Sequence, residues 1–522
     1  MKTTINRAGI ALALVLGACG NPSHENAKEE QVNYVAPAMC EMAPPPPPQN
    51  TEEYSNIKEA GFQSALRNPY STFSIDVDAA SYSLMRRMIN EGVLPPSHSV
   101  RVEEWINYLN YSYVEPGKDE VFSVNTEYSE CAWNKNHKLL QIGLRGYSSK
   151  GVGAKANNLV FLIDASGSME EPDKLPLLKR AFKLLVPQLR AEDKISIVTY
   201  AGSAGVVLDA VSGNKKGEIL EALERLEAGG STAGGEGINL AYKIAAEHFI
   251  KEGNNRVILA TDGDFNVGVS NEAELEKLIE SKRSEGVYLS VLGFGEGNIK
   301  DNKMELLADK GNGNYNYIDN FLEARKVLVK QFGGTLNTIA KDVKLQVEFN
   351  PAYVKEYRLI GYENRTLNQE DFNNDKKDAG ELGAEHCVTA LYEIVTVDSK
   401  ESNSSVDDLK YQETKRALIK NNELVNIKFR YKEPGKNDTV SKLIQHPVLA
   451  NVIPVESVSG NFKLACAVSE FALLMRDSDF KGSASFDHAI GLAGEARKND
   501  EEGYVEELLR LIKAAKGLKE TH

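Results

Sequence analysis

Hydrophobic and polar positions in the middle of the chain alternate between two patterns. Segments with apolar residues at helical spacing, such as Lys174–Leu189 and Ile238–Ile250, lie between short apolar runs rich in β-branched residues. Such runs are typical of strands buried on both faces, and they occupy Asn158–Ile163, Ile195–Tyr200, Arg256–Thr261 and Val287–Phe294. Strands that alternate with helices require crossover connections. The pattern therefore predicts a mainly parallel sheet covered by helices on both faces.

A different pattern, the alternation of single polar and apolar residues, flanks this central region on both sides. It occurs in residues 121–146 and returns at Val343–Phe349, Val388–Val397 and Leu424–Tyr431. Alternation is typical of half-buried antiparallel strands, and two such strands alone are only marginally stable. We therefore expect the segments from both sides to pair into one β-sandwich, into which the central domain is inserted.

Helical spacing of apolar residues also appears near both ends of the folded part. It predicts a helix that ends at Gly92 and a second helix around Trp105. Leu464–Met475 and Asp487–Leu518 predict C-terminal helices, which either form a small bundle or pack on the sandwich.

The first residues have the features of an export signal. Lys2 and Arg7 precede an apolar run, Ala8–Ala18, that fits a signal-peptide core and is too short to span a bilayer. The run ends in Leu16-Gly17-Ala18-Cys19, which resembles a bacterial lipobox; that resemblance implies cleavage before Cys19 and acylation of its thiol. A plain signal peptide with a coincidental cysteine is the alternative. Because two acyl chains anchor a protein stably, we expect an exported, lipid-anchored protein of the bacterial cell envelope, at the outer membrane in a Gram-negative host.

The segment after Cys19 is polar and contains a run of five prolines, Pro44–Pro48. Such composition is typical of a flexible stalk. The whole chain carries 61 Lys and Arg against 75 Asp and Glu, a formal net charge of −14. This excess of negative charge argues against nucleic acid as a partner. Five cysteines without a CxxC pair argue against a structural zinc site.

Oxygen-bearing side chains follow two of the predicted central strands. Asp164 ends the first strand and opens the sequence Asp-Ala-Ser-Gly-Ser, Asp262 ends a later strand, and Thr232 lies in a Gly-rich loop between them. Ligands of parallel sheets bind beyond the carboxyl ends of the strands, so we expect Asp164, Ser166, Ser168, Thr232 and Asp262 to converge there. An all-oxygen site of this kind suits Mg²⁺, with Ca²⁺ or Mn²⁺ as rivals.

The order D-x-S-x-S, then Thr, then TDG resembles the metal-ion-dependent adhesion site of von Willebrand factor type A domains. The resemblance implies that Ser166, Ser168 and Thr232 touch the metal, while Asp164 and Asp262 act through water or hydrogen bonds. With neutral hydroxyls in direct contact, the metal keeps most of its positive charge. We therefore expect a protein ligand to offer a carboxylate to the open metal position.

With its flanking segments, the chain resembles bacterial von Willebrand A lipoproteins that have an N-terminal accessory segment and a C-terminal domain of unknown function. We predict a multidomain α/β plus β fold: a von Willebrand A domain with a Rossmann-like, mainly parallel sheet, inserted in a β-sandwich, with helical N- and C-terminal parts. The expected parts are a signal peptide (1–18), a lipidated flexible stalk (19–67), an accessory segment (68–115), a split β-sandwich (116–150 and 340–455), the von Willebrand A domain (156–339) and a C-terminal helical region (460–518).

The expected function is binding of a protein ligand through a divalent cation, and not enzymatic catalysis. The alternative is an assembly or chaperone-like scaffold subunit of an envelope complex. A metal-dependent hydrolase is disfavoured because no general base or second set of metal ligands is evident in the sequence. P-loop, GxSxG and HExxH motifs do not occur in the sequence.

Two further acidic segments carry open alternatives. Asp78 either serves in capping the first predicted helix and in hydrogen bonding, or joins Asp76 and Ser81 in a second metal site. The segment Asp371–Asp375 starts like a calcium loop, but the glycine and glutamate that such a loop needs further on are replaced.

The orientation of the central domain follows from its insertion points. We expect its last helix, Leu322 to about Ile339, to return to the edge where the first strand begins. Both connections to the β-sandwich would then leave from that edge. The metal site would face away from the sandwich.

Overall fold

The apolar runs of the middle of the chain form its central sheet. The computed structural model describes residues 50–148, 155–230, 234–263, 265, 272–331, 337–401, 418–434, 440–497 and 500–521. Within these residues the central sheet has six strands, in the order Tyr315–Ile318, Val287–Phe294, Asn254–Thr261, Asn157–Asp164, Lys194–Tyr200 and Ala204–Ser212. Neighbours among the first five run parallel, as predicted, and the sixth is antiparallel to its neighbour.

Helices cover both faces of this sheet. Alternate residues of Asn157–Asp164 belong to two different hydrophobic clusters: Phe161 lies in one and Leu162 in the other. The strand is therefore buried on both faces, which is why it lacks polar alternation. The helices of the domain are Leu175–Leu185, Lys216–Glu224, Gly234–Glu247, Glu272–Ser284, Asp301–Lys310 and Phe321–Arg325.

The end of the central domain differs from the predicted last helix. Phe321–Arg325 is followed by a π-helical turn, Lys326–Lys330, and Ile339 lies in the strand Thr338–Phe349. Residues 332–336 lie outside the described residues. The prediction of a helix from Leu322 to about Ile339 is therefore wrong at its end, where the chain has already entered the strand.

Two antiparallel sheets are built from both sides of the insertion. One has the order Gln63–Ser64, Val354–Ile360, Cys387–Thr396, Asn134–Gly146 and Phe122–Cys131. The other has the order Leu382–Gly383, Thr338–Phe349, Glu423–Lys432 and Lys442–Leu449, and Tyr70–Ser74 also pairs with Thr338–Phe349. Asn134–Gly146 precedes the central domain and Cys387–Thr396 follows it, so their pairing joins the two halves of the chain in one sheet.

The two antiparallel sheets share one hydrophobic core. The ring of Phe122 lies 5.5 Å from that of Phe429, and Phe349 stacks on Tyr357 at 3.8 Å. Each of these pairs joins one sheet to the other. The expected pairing of flanking segments around the insertion is thus seen in the contacts of their side chains.

Residues 50–67, predicted as part of the flexible stalk, contact the folded body. Gln63–Ser64 pairs with Val354–Ile360, and the Phe62 ring packs edge-on against Phe480 at 5.7 Å. Glu59 accepts a hydrogen bond from the buried Arg358 at 3.1 Å. The stalk prediction is wrong for these residues, because strand pairing, an aromatic contact and an ion pair bind them to the body. Residues 19–49 lie outside the described residues.

The accessory and C-terminal helices form one layer on the first antiparallel sheet. They are Ala80–Asn90, Val102–Tyr108, Gly460–Arg476, Phe486–Ala496 and Tyr504–Thr521. They share a hydrophobic cluster in which the Trp105 ring lies 5.2 Å from Phe471, and Leu391 of the sheet belongs to the same cluster. Among the helices of the described chain, none has the length and apolar character that crossing a bilayer requires.

A buried ion cluster, Arg101 with Glu104 and Asp301, joins the accessory helices to the central domain. The Arg101 guanidinium donates to Asp301 Oδ2 at 2.5 Å and also pairs with Glu104. All three side chains are buried. Charges removed from water are tolerated only when they are paired. The cluster therefore holds the accessory helices against the central domain.

Asp78 does not cap the first helix. Its Oδ1 accepts the backbone N–H of Tyr315 at 2.7 Å, and its Oδ2 accepts from Arg365 at 3.0 Å. Ser81 is engaged elsewhere, because its hydroxyl donates to the Ser99 carbonyl at 2.7 Å. The capping prediction is therefore wrong, whereas the predicted hydrogen bonding of Asp78 is seen. Through these contacts Asp78 joins the central strand Tyr315–Ile318 to the β-domain, the segments that form the two antiparallel sheets. The hydrogen bond from Ser81 to Ser99 disfavours the alternative metal site.

The contribution of Glu104 to the free energy of unfolding should fall as the pH rises from about 4.5 to about 7. Burial raises the pKa of Glu104 to about 7, although Arg101 acts in the opposite direction. Between these pH values the folded carboxyl keeps a proton that the unfolded chain has lost, and this preference vanishes above the folded pKa. Glu104→Gln should therefore flatten the decline of Tm with pH, measured by thermal unfolding. The exposed Glu130→Gln serves as control, and equal slopes in both variants would contradict the assignment.

Candidate metal centre

Asp164 and Asp262 meet because their strands are adjacent and parallel. Asn157–Asp164 pairs with Asn254–Thr261 in a register that places Ile163 beside Ala260. The next residues of the two strands therefore leave the sheet at the same edge. Both carboxylates are fully buried there.

The Asp164 carboxylate is held by three donors. Its Oδ1 accepts the backbone N–H of Ser166 at 2.9 Å, and its Oδ2 accepts from the hydroxyls of Tyr200 at 2.9 Å and Thr261 at 3.3 Å. Burial nevertheless raises the pKa of Asp164; the hydrogen bonds from Ser166 oppose this, and the negative charge of Asp262 adds to it. A cation between the two carboxylates would relieve that repulsion.

Asp262 is surrounded by donors of another kind. Lys174 Nζ lies 3.0 Å from its Oδ2. Burial acts to raise the pKa of Asp262, but hydrogen bonds from Asn298 and Ser168 and the charge of Lys174 outweigh it, so the pKa is lowered. Asp262 is thus an anion held in place by an ammonium, an amide and a hydroxyl.

The serines of the D-x-S-x-S sequence lie between these carboxylates. The hydroxyl oxygens of Ser166 and Ser168 are 3.1 Å apart. Thr232 lies outside the described residues. Gly230, two residues before it, lies beside the serine loop, residues 165–168, because the Gly167 N–H donates to the Gly230 carbonyl at 3.2 Å. The structure therefore brings together four of the five predicted residues.

The donor set fits a hard divalent cation. Two carboxylates and two hydroxyls converge at the edge of the sheet, and oxygen donors are the ligands that Mg²⁺ and Ca²⁺ prefer. Burial raises the pKa of Asp164 and the negative charge of Asp262 raises it further; a positive ion would offset that repulsion. The chemistry of these side chains is that of a cation site.

Sequence analysis missed Lys174 and Asn298 as parts of this centre. Lys174 precedes the helix Leu175–Leu185, and Asn298 lies in the loop after Val287–Phe294. The only signal in the sequence is their position: each lies a few residues after the carboxyl end of a central strand. Because both contact Asp262, they belong to the site as positioning residues.

A segment near residue 50 holds the loop that carries Asn298. Thr51 N–H donates to the Gly297 carbonyl at 2.7 Å, and Glu53 N–H donates to the Ile299 carbonyl at 2.9 Å. Asp301 N–H donates to the Glu53 carbonyl at 3.0 Å. Residues predicted as stalk are therefore bound beside the metal centre.

Several contacts between the β-domain and the central domain lie at the other edge of the central sheet. Lys341 donates to the hydroxyl of Tyr288 at 3.1 Å, and Tyr288 is the second residue of the strand Val287–Phe294. Arg283, near the end of the preceding helix, pairs with Asp378 at 2.7 Å. These contacts favour the predicted outward orientation of the metal centre. Asn364 of the β-domain lies nearer to the metal centre, because it lines a groove of about 700 Å³ that also reaches Gly263, the residue after Asp262.

Family models match three parts of the chain. The model described as von Willebrand factor type A domain matches residues 158–330, the one described as von Willebrand factor matches 48–141, and the one described as uncharacterized protein YfbK, C-terminal, matches 334–518. The uncharacterized protein YfbK of Escherichia coli K12 is 40% identical over 477 residues, which cover 90% of this chain and 82% of YfbK. The chain belongs to the YfbK family.

The match to the von Willebrand factor type A model confirms the predicted domain of that type, and the YfbK C-terminal model gives the predicted C-terminal domain its family. That domain, at 334–518, spans both the later strands and the terminal helices, which the sequence analysis had separated. The uncharacterized protein sll0103 of Synechocystis is 29% identical over 195 residues, 37% of this chain and 45% of that one. A solved von Willebrand factor type A structure from Catenulispora acidiphila covers 88% of this chain and 91% of its own at 16% identity, with a TM-score of 0.40.

Proposed function

We propose that this chain binds a partner protein through a divalent cation held at Asp164, Ser166, Ser168, Thr232 and Asp262. Mg²⁺ is the proposed ion, and Ca²⁺ or Mn²⁺ are its rivals. The observation that supports the proposal best is the convergence of four of these side chains, two of them buried carboxylates, at the carboxyl ends of adjacent strands.

The residues of the site divide into two groups. The hydroxyls of Ser166 and Ser168 are proposed to contact the ion, because they lie 3.1 Å apart and carry no charge of their own. Asp164 orients the serine loop through the N–H of Ser166, and Asp262 fixes Ser168. The bound ion would supply a positive charge to an incoming carboxylate. We propose binding without catalysis, because ligand capture of this kind requires neither a nucleophile nor a general base.

A capture experiment tests the metal-dependent function. The immobilised chain is exposed to an extract of the cell envelope in Mg²⁺ or in EDTA, beside an Asp164→Asn variant. We expect a captured protein that is lost in EDTA, restored by Mg²⁺ and absent from the variant. Capture that is equal in all three conditions would contradict the proposal and favour the alternative of a metal-independent scaffold in an envelope complex.

We also propose that the chain is exported and anchored to the bacterial envelope through acylated Cys19. The lipobox-like sequence that ends at this residue supports the anchor, and Cys19 itself lies outside the described residues. Cys19→Ser should move the protein from the membrane fraction to the soluble fraction and abolish labelling by a fatty acid, because two acyl chains supply the anchoring energy. Cys40→Ser, in the same polar segment, should change neither. A labelled, membrane-bound Cys19→Ser protein would overturn this proposal.

A further inference from the structure

Lys174 places a positive charge inside the candidate metal centre. Its Nζ lies 3.0 Å from Asp262 Oδ2; the Lys174 side chain is 8% exposed and that of Asp262 is 0% exposed. A pair so thoroughly removed from water is costly to break, because separation leaves a buried charge without a partner. The ammonium is therefore a fixed part of the electrostatics of this site.

Gly295 fixes the path of the lysine side chain. A Cβ atom at this position would lie 2.2 Å from Lys174 Cε and 2.7 Å from its Cγ. Gly295 also has a φ of +73°, a conformation that favours glycine. Its carbonyl accepts from the Tyr317 hydroxyl at 2.6 Å, which holds the backbone against the lysine. The lysine stem thus lies in a channel that only a glycine leaves open.

The backbone of Lys174 is held as well. Its N–H donates to the Glu171 carbonyl at 3.0 Å, and its own carbonyl accepts from Leu178 N–H at 2.9 Å in the first turn of the helix Leu175–Leu185. A lysine on a protein surface samples many rotamers, whereas this one is confined at both ends. The ammonium position is therefore set by the fold.

This charge changes what a bound divalent ion can do. Asp164 and Asp262 together carry two negative charges, which would cancel a divalent ion completely. Lys174 offsets one of them, so the loaded site keeps one net positive charge. Unscreened charge at a buried site acts strongly on a nearby anion.

We propose that Lys174 is a specificity-determining residue: it weakens binding of the divalent ion and strengthens binding of the partner carboxylate to the loaded site. The inference rests on the proposed function, since it assumes an ion at this centre. It gives the residues separate roles: Asp164 and the two serines retain the ion, and Lys174 preserves the attraction of the ion for an anion.

Two neutral variants test this role. Lys174→Met keeps most of the stem and removes the charge, and Lys174→Gln removes the charge with a polar end. Mn²⁺ binding to the full chain is measured by calorimetry. Acetate, a simple carboxylate, is then titrated onto the Mn²⁺-loaded protein and followed by the relaxation of water protons. Lys183→Met is the control, because Lys183 lies on the helix Leu175–Leu185 that follows Lys174 and its side chain is 53% exposed.

We expect both neutral variants to bind Mn²⁺ at least tenfold more tightly than the wild type and to bind acetate several-fold more weakly. Lys183→Met should match the wild type in both measurements, and circular dichroism establishes that each variant is folded. Mn²⁺ affinity that is unchanged or reduced in both folded variants, with binding intact in the wild type, overturns this inference alone. Absence of Mn²⁺ binding in the wild type and both variants contradicts the inference and the proposed function together.

Discussion

Replacement of Asp164 by alanine should abolish divalent-ion binding, with at least a ~100-fold loss of affinity, which corresponds to about 2.7 kcal/mol. The carboxylate supplies charge to the centre and also orients Ser166 through its backbone N–H. Its removal takes away both contributions. Calorimetry with Mg²⁺ measures the loss, and the circular dichroism spectrum should remain close to that of the wild type.

Asp164→Asn separates charge from orientation. The amide keeps an oxygen for the Ser166 N–H or for the Tyr200 hydroxyl, whereas alanine leaves these buried donors without an acceptor, at roughly 1–3 kcal/mol for each unsatisfied group. We therefore expect Asn to lose most of the ion affinity with a higher Tm than Ala. Ion affinity equal to the wild type in both variants would refute the assignment of the centre.

Replacement of Arg101 by methionine should produce the largest loss of stability. Methionine fills much of the same volume, but it leaves Asp301 and Glu104 buried without their cation. Breaking a buried pair in this way costs about 3–5 kcal/mol. At roughly 2–4 °C per kcal/mol, Tm should fall by about 10 °C, measured by scanning calorimetry.

Arg225→Met is the matched control for this loss. The Arg225 side chain is 62% exposed and pairs with Glu221 one helical turn away, and such surface pairs contribute about 1 kcal/mol or less. We expect its Tm to remain within a few degrees of the wild type. A similar small change for Arg101→Met would show that the buried cluster does not join the accessory helices to the central domain.

The sequence predicts the central strands well because burial on both faces leaves a continuous apolar run. Val287–Phe294 has the predicted bounds, and the predicted Asn158–Ile163 is extended by one residue at each end. Ala204–Ser212 was missed because it lies at the edge of the sheet and most of its residues are partly exposed. Its apolar run is short, Val206-Val207-Leu208, and is bounded by Gly205 and Asp209.

Some residues of the candidate site could be placed from the sequence and others could not. Asp164 and Asp262 could be placed from sequence because the edge at which parallel strands end is set by topology. Lys174 could not, since its contact with Asp262 depends on a lysine stem that passes Gly295 in another loop. The pair Arg101 and Asp301 is separated by 200 residues, and local patterns carry no information about such partners.

The central claim is that the D-x-S-x-S edge holds a divalent ion with a position open to a partner. Diffraction from crystals grown with Mn²⁺, recorded near the manganese absorption edge, tests it most directly. The account predicts an anomalous peak beside the hydroxyls of Ser166 and Ser168 with one coordination position facing solvent. A peak at the buried carboxylates of Asp78, Glu104 and Glu305 instead, or a site whose open position is filled by residues 343–450 of the same chain, would contradict it.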